Sequence, residues 1–319
     1  MAIVLVTGSL GMVGHAVNNL LRTDEYKELQ LRVSDRTDFD LRREQSVRAL
    51  YELMRPDYVI HCAAKVGGVK FNKEHPDVLF RDNILMNNHM IHYAHHYGVK
   101  KIIAFSSACA FQDGVYPFKE DDLQDGQPYE GNLAYGYAKR MVDIQIGIYN
   151  KLYGRKDLTV IPVSIYGPED NFDLDNGHFV AGLIAKTHRA KYTSTPLRIW
   201  GDGSPRRELL FSEDLAKILV KLLLKDTPDK LLIPGEEVSV ADVARTIADL
   251  MEFHGKIVWE RDKPNGQHRK PTDPTRFKQV MGNYPFTPYR EGLLKTIKWY
   301  CDRKAHHWHV RGEPYGNQD

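Results

Sequence analysis

Short continuous apolar runs alternate along the chain with longer stretches in which apolar residues recur every three or four positions. Ile3-Val4-Leu5-Val6, Tyr58-Val59-Ile60 and Ile102-Ile103-Ala104-Phe105 carry no charged residue and are too short for helices. That is the pattern of strands buried on both faces, and Leu29 to Ser34 reads as a further strand. Between the strands, Val13 to Leu21, Arg42 to Met54 and Pro76 to Tyr97 repeat at helical spacing. Strands joined by such helices form parallel crossovers, so the pattern predicts an α/β fold with a doubly wound parallel sheet. Another helix runs from Tyr135 through Tyr153 with two apolar stripes: Met141, Ile144, Ile148 and Leu152 on one, Val142, Ile146, Tyr149 and Tyr153 on the other. One stripe covers the sheet, and the second meets either a partner helix across a dimer or another part of the same chain. Beyond about residue 165 the rhythm is lost. Leu197 to Trp200, Leu209 to Phe211 and Ile257 to Trp259 read as short strands and Val240 to Phe253 as a helix. We expect a domain over residues 1–165, joined by some later segments, and a smaller mixed α/β C-terminal lobe over 166–319.

The first strand leads into Thr7-Gly8-Ser9-Leu10-Gly11-Met12-Val13-Gly14. Glycines at 8, 11 and 14 let the chain turn tightly, let backbone N–H groups of this loop (Met12 and Val13 included) approach a pyrophosphate, and let the next helix pack close. A glycine triplet between a first strand and an amphipathic helix points to a dinucleotide. The second strand ends in Ser34-Asp35-Arg36, where the adenosine ribose is read. Asp35 suits a free 2′-hydroxyl and Arg36 a 2′-phosphate, and the reading leans to NADP. Asp40-Leu41 borders the adenine, or Asp40 simply caps the helix beginning at Arg42. After the third strand, Ala63-Ala64 allow close approach of a cofactor, while His61 and Cys62 point to opposite faces and read as core filler. Asn83 is either a hydrogen-bonding helper near the site or a residue on a solvated helix face.

The fourth strand delivers Ser106-Ser107-Ala108-Cys109 to the sheet edge that binds ligands in such folds. Tyr135 and Lys139 lie one helical turn apart, so the ammonium acts on the phenol and favours its ionised form. Ser107 holds a substrate carbonyl while Tyr135 protonates it, as hydride transfer requires. In the second half, Lys186, Arg206, Arg207, Arg269 and Lys270 are the positions able to meet an anionic ligand.

Composition narrows the partners. With 44 basic and 42 acidic residues in 319, net charge +2, there is no electrostatic case for nucleic acid or a membrane surface. Cys62, Cys109 and Cys301 support neither a disulfide framework nor a zinc site, and a reducing, cytoplasmic setting fits. There is no signal-peptide pattern and no apolar run long enough to span a bilayer. His306, His307 and His309 lack cysteine or acidic partners at suitable spacing, so no metal is expected.

Together the glycine loop, Ser107, Tyr135 and Lys139 resemble the extended short-chain dehydrogenases/reductases, which implies a Rossmann-type sheet. Ala63 to Val69, Tyr166-Gly167-Pro168-Glu169-Asp170-Asn171-Phe172 with His178 following, and Trp200 to Glu208 resemble the GDP-L-fucose synthase family, over nearly the whole chain. The resemblance implies that GDP-4-keto-6-deoxy-D-mannose is inverted at C3 and C5 and reduced at C4 with NADPH; the second stripe of the Tyr135 helix leads us to expect a homodimer, and the cysteine usage a cytoplasmic setting. It implies Cys109 and His178 as the epimerising pair, with Lys139 also on the nicotinamide ribose. Lys186, Trp200, Arg207 and Lys263 would bind substrate: Lys186 and Arg207 near the pyrophosphate or sugar, and Lys263-Pro264-Asn265-Gly266 along the nucleotide. The family usually has Ile/Val-aromatic-Pro after the cysteine and Pro-Thr-Asn before Tyr-Gly-Pro. Here these are Ala110-Phe111-Gln112 and Pro162-Val163-Ser164. A related 4-keto nucleotide sugar, dideoxy or heptose, is the alternative substrate. A dehydratase would resemble Thr-Asp-Glu where Ala108-Cys109 stands, and a non-catalytic NADP sensor commonly lacks the tyrosine and lysine kept here.

Overall fold

The computed structural model describes residues 1–174, 177–263, 265 and 267–311, without the side chains of 69, 70 and 305–311. The strands are β1 (Ala2–Thr7), β2 (Leu29–Ser34), β3 (Tyr58–His61), β4 (Lys101–Phe105), β5 (Leu158–Pro162), β6 (Ser164–Tyr166), β7 (Leu197–Trp200), β8 (Arg206–Phe211), β9 (Lys230–Ile233), β10 (Glu236–Ser239) and β11 (Ile257–Glu260). The helices are α1 (Met12–Leu21), α2 (Glu44–Met54), α3 (Val69–Glu74), α4 (Pro76–His96), α5 (Leu133–Tyr153), α6 (Phe179–Thr193), α7 (Ser212–Leu223), α8 (Val240–Leu250), α9 (Thr275–Met281) and α10 (Tyr289–Arg311).

Six parallel strands form one sheet in the order β2-β1-β3-β4-β5-β9. The apolar runs are continuous because alternate residues feed two cores. Val4, Val6, Ile60 and Ile103 pack with α1 and α7 on one face, while Leu5, Val59 and Ile102 pack with α2, α4 and α5 on the other. The chain moves from β1 to one side and returns past it to β3, so the loops after β1 and β3 open a crevice at their carboxyl ends. A second core unites β6, β8, α6, α8 and α10, served by the sheet β10-β8-β6 and the pair β11-β7.

Three details differ from the expectations. Asp40 does not cap the second helix, which begins at Glu44 with Arg43 at its cap. Asp40 instead accepts from the Arg42 amide at 3.1 Å and from its guanidinium at 2.8 and 2.9 Å. Asn83 is on no solvated face: it is fully buried, donating to the Lys65 and Leu79 carbonyls and accepting from the Lys65 amide. On α5, Val142 and Ile146 are buried, but Met141, Ile144, Ile148 and Leu152 are exposed, so burial of both stripes within one chain is excluded. Tyr149 and Tyr153 meet α4 instead, through His92 at 2.9 Å and the His95 ring at 4.0 Å. The side chains of His306, His307 and His309, and residues Pro264 and Gly266, lie outside the described residues.

Candidate active site

The cofactor side is built from the turn off β1. Gly8 has φ +67°, and a Cβ there would lie 2.7 Å from the Ala63 amide nitrogen, so glycine is required both by conformation and by the approach of the β3 exit. The Gly11 amide donates to the Gly8 carbonyl at 3.0 Å, and Gly14 lies against the same carbonyl from the first turn of α1. Met12 and Val13 open α1, whose N-terminus has no side-chain cap and no acidic residue in its first turn, leaving its N–H groups for an anion. Ala63 and Ala64 follow β3, held by the Ala63 amide on Thr7 Oγ1 at 3.4 Å. At the end of β2, the Asp35 carboxylate is engaged by the Thr37 amide and hydroxyl. The exposed Arg36 has no hydrogen-bond or ion-pair partner among the described residues, which fits a 2′-phosphate better than a free 2′-hydroxyl. The Leu41 side chain is buried in the α2–α4 core and its carbonyl meets His89.

The reacting side is built where β4 meets α5. Ser107 Oγ accepts from the Cys109 amide at 3.2 Å and so caps the turn carrying the thiol. α5 presses its first turn against that turn: a Cβ on Gly136 would lie 2.8 Å from the Cys109 carbonyl oxygen. Tyr135 thereby comes against Ser107 and Cys109, and the Lys139 ammonium lies 5.7 Å from the centroid of the Tyr135 ring. Burial and nearby Cys109 push the Tyr135 phenol above its ordinary pKa, against the Ser107 hydroxyl. The expected shift toward phenolate is therefore not found. Burial is the largest cause, the Lys139 ammonium lies 5.7 Å from the ring centroid, and the phenol keeps the proton a donor must have.

Lys139 is itself only 2% exposed, and burial lowers its pKa to about 8, with Cys62 opposing. Its ammonium makes no hydrogen bond among the described residues, so its donors are left for a ligand. The orphaned ammonium, the glycine cradle and the uncapped α1 terminus together fit a dinucleotide.

Arg140, next in sequence, points the other way. Its guanidinium donates to the carbonyls of Ala110 at 2.7 Å, Gln124 at 3.2 Å, Asp125 at 2.7 Å and Gly126 at 2.8 Å. It thus ties down the 110–126 excursion that follows Cys109.

Arg207, on β8, is half-buried; burial lowers its pKa, while Tyr116 and Cys109 oppose. The other basic candidates differ: Arg206 and Arg269 are both engaged by Glu237. Lys186 lies half-buried on α6. Trp200 is 57% exposed at the end of β7. Beside it the Asp202 amide donates to Asn265 Oδ1 at 2.9 Å, and exposed Lys263 lies 3.8 Å from Asp262. His178 stands at the N-cap of α6, its Nδ1 bonded to Asp170 Oδ1 at 2.7 Å, a contact that raises the imidazole pKa against the pull of burial.

The chain thus gathers Ser107, Cys109, Tyr135 and Lys139 around one corner and brings Arg207 to Cys109. His178 belongs to a second group on the 166–178 segment. Asp170 and Arg140 were not among the residues singled out from sequence. Asp170 had a weak signal, a carboxylate inside the motif that leads to His178. Arg140 had none, since a basic residue beside Lys139 is as readily solvated.

A family model described as the NAD dependent epimerase/dehydratase family matches residues 4–234. A GDP-L-fucose synthase of Dictyostelium discoideum is 37% identical over 305 residues, 94% of this chain and 95% of that protein. One from Escherichia coli K12 is 31% identical, covering 94% and 97%. The crystal structure of a GDP-L-fucose synthetase from Naegleria fowleri bound to NADP superposes with a TM-score of 0.89 at 31% identity, covering 95% of each chain. From these matches, and from the site they accompany, the chain belongs to the NAD dependent epimerase/dehydratase family and, within it, to the GDP-L-fucose synthase family.

Proposed function

We infer that this protein is an NADPH-dependent epimerase and reductase that converts GDP-4-keto-6-deoxy-D-mannose to GDP-L-fucose. The observation that carries this reading is the corner where Ser107, Cys109 and Tyr135 meet, with the Lys139 ammonium 5.7 Å from the Tyr135 ring and without a hydrogen bond among the described residues. A ketone at C4 acidifies the protons on C3 and C5. Cys109 acts as the base that takes one of them, and His178 returns a proton to the opposite face of the resulting enolate. The thiol then gives its proton to solvent and His178 takes one up, and the step is repeated at the second carbon. Throughout, Tyr135 and Ser107 hydrogen-bond the C4 oxygen, where the enolate charge gathers. Bound NADPH supplies the hydride that reduces C4. Tyr135 then gives its proton to the alkoxide, and Lys139 holds the nicotinamide ribose. Residues 1–165, joined by β9, hold the cofactor, while Lys186, Trp200, Arg207 and Lys263 from the 166–319 lobe hold the GDP-sugar.

The related-sugar alternative draws less support. Ala110 and Phe111 are buried beside Phe118, and Val163 is buried in the core beneath the sheet, so of those departures these three pack rather than face a ligand. Ser164 is exposed. The exposed stripe Met141, Ile144, Ile148 and Leu152 fits a homodimer joined through α5. Three free thiols fit a reducing cytoplasm, and no helix among the described residues is long and apolar enough to cross a membrane.

The deciding experiment is product analysis by NMR after incubation with GDP-4-keto-6-deoxy-D-mannose and NADPH in deuterated water. GDP-L-fucose deuterated at C3 and C5 is expected. Reduction without deuterium at those carbons, or no turnover, would overturn the reading.

A further inference from the structure

The segment between β6 and α6 carries a carboxylate that the reaction above does not use. The Asp170 side chain is 3% exposed. Its Oδ1 accepts from the Asn171 amide and from His178 Nδ1, both at 2.7 Å. Its Oδ2 is buried and meets no donor among the described residues. A carboxylate removed from water is costly unless donors or a cation compensate it. One amide on one oxygen is far less than a buried carboxylate ordinarily collects, so the contact with the imidazole is what compensates its burial.

We propose that Asp170 is a positioning residue for epimerisation, accepting the Nδ1 proton of His178 so that the ring is held in one orientation with Nε2 as the proton donor to the sugar. The proposal rests on the reading of His178 as the acid. His178 keeps 38% of its side chain exposed, and its Nε2 has no partner among the described residues, so one edge is fixed and the other is free to act. Once Nε2 has given its proton to the enolate carbon, the ring remains protonated at Nδ1 on Asp170, and solvent returns the proton to Nε2.

Among the described residues, Glu169 is engaged elsewhere and does not substitute for Asp170. Glu169 is bound through both oxygens, at 2.6 Å, by Arg303 of α10, with His15 of α1 3.9 Å away. Asp173 is exposed on the same segment. Contact with Asp170 is the cause that raises the His178 pKa.

The test combines two readouts on the NADP-loaded protein. NMR titration with labelled histidine should show His178 changing charge above the ordinary imidazole value of about 6.5, and in Asp170→Asn at least about one pH unit lower. Deuterium uptake at C3 and C5, followed with NADP⁺ so that no reduction intervenes, should slow about 10- to 100-fold at neutral pH, as when an orienting partner is lost elsewhere. The pH above which uptake falls off should move down with the titration. An unchanged midpoint or an unchanged uptake rate in Asp170→Asn overturns the proposal. If that variant does not fold, the unmodified protein still decides, because a His178 midpoint at or below about 6.5 overturns it. An unmodified enzyme that takes up no deuterium overturns the reading of the reaction, and with it this role, even where His178 titrates high.

Discussion

Replacing Arg140 with methionine keeps most of the aliphatic stem and removes a guanidinium that serves four backbone carbonyls across the 110–126 excursion. Hydrogen bonds to a charged donor are worth about 1.5–3 kcal/mol each. They do not add, because burial already disfavours this guanidinium and its removal relieves that cost. A net loss of about 3–5 kcal/mol is expected, the range for removing a buried charged group from its partners. With a urea m-value of about 3 kcal/mol per M, high in the usual range because the chain is large, the midpoint should fall by about 1–1.7 M. Arg140→Lys reaches one or two of the carbonyls and should fall between. The Ala110 carbonyl follows Cys109 directly, so deuterium uptake at the sugar should suffer more than NADPH oxidation. A midpoint shift below about 0.3 M in the methionine variant would refute the view that Arg140 organises this segment.

Tyr135→Phe removes the proton donor and should lower the C4 reduction rate about 10²- to 10⁴-fold while NADPH binding, followed by fluorescence, is retained. Lys139 loses its proton near pH 8 when folded but near pH 10.4 when unfolded, so the cost of burying its charge is complete below pH 8 and relieved as pH rises to about 10.4. Relative to Lys139→Met, the unmodified protein should therefore gain up to about 3 kcal/mol across that window in paired denaturation curves, and parallel curves would contradict the burial argument. Gly8→Ala, strained by its positive φ and blocked by Ala63, should weaken NADPH binding at least about tenfold by calorimetric titration. Ile148→Glu puts a charge into the exposed α5 stripe and should yield monomers by light scattering; an unchanged mass would move the interface elsewhere.

Where an interaction is local, the residues announced it. The apolar runs became β1, β3 and β4, and the Tyr135–Lys139 spacing became one turn of α5, because strand and helix periods are properties of the backbone. The glycine loop was legible for the same reason: its tight turn is a local demand on φ. Tertiary structure decided which groups are taken from water and what meets them there. Burial reversed the expected shift of Tyr135, a balance that spacing along a helix does not contain. It sent Arg140 to the 110–126 loop while Lys139 was left without a hydrogen-bond partner among the described residues, although the two are adjacent in sequence. It also joined Asp170 to His178 across one irregular segment that follows neither a strand nor a helix period, and left the α5 stripe open, because both outcomes depend on how the chain packs rather than on a backbone repeat.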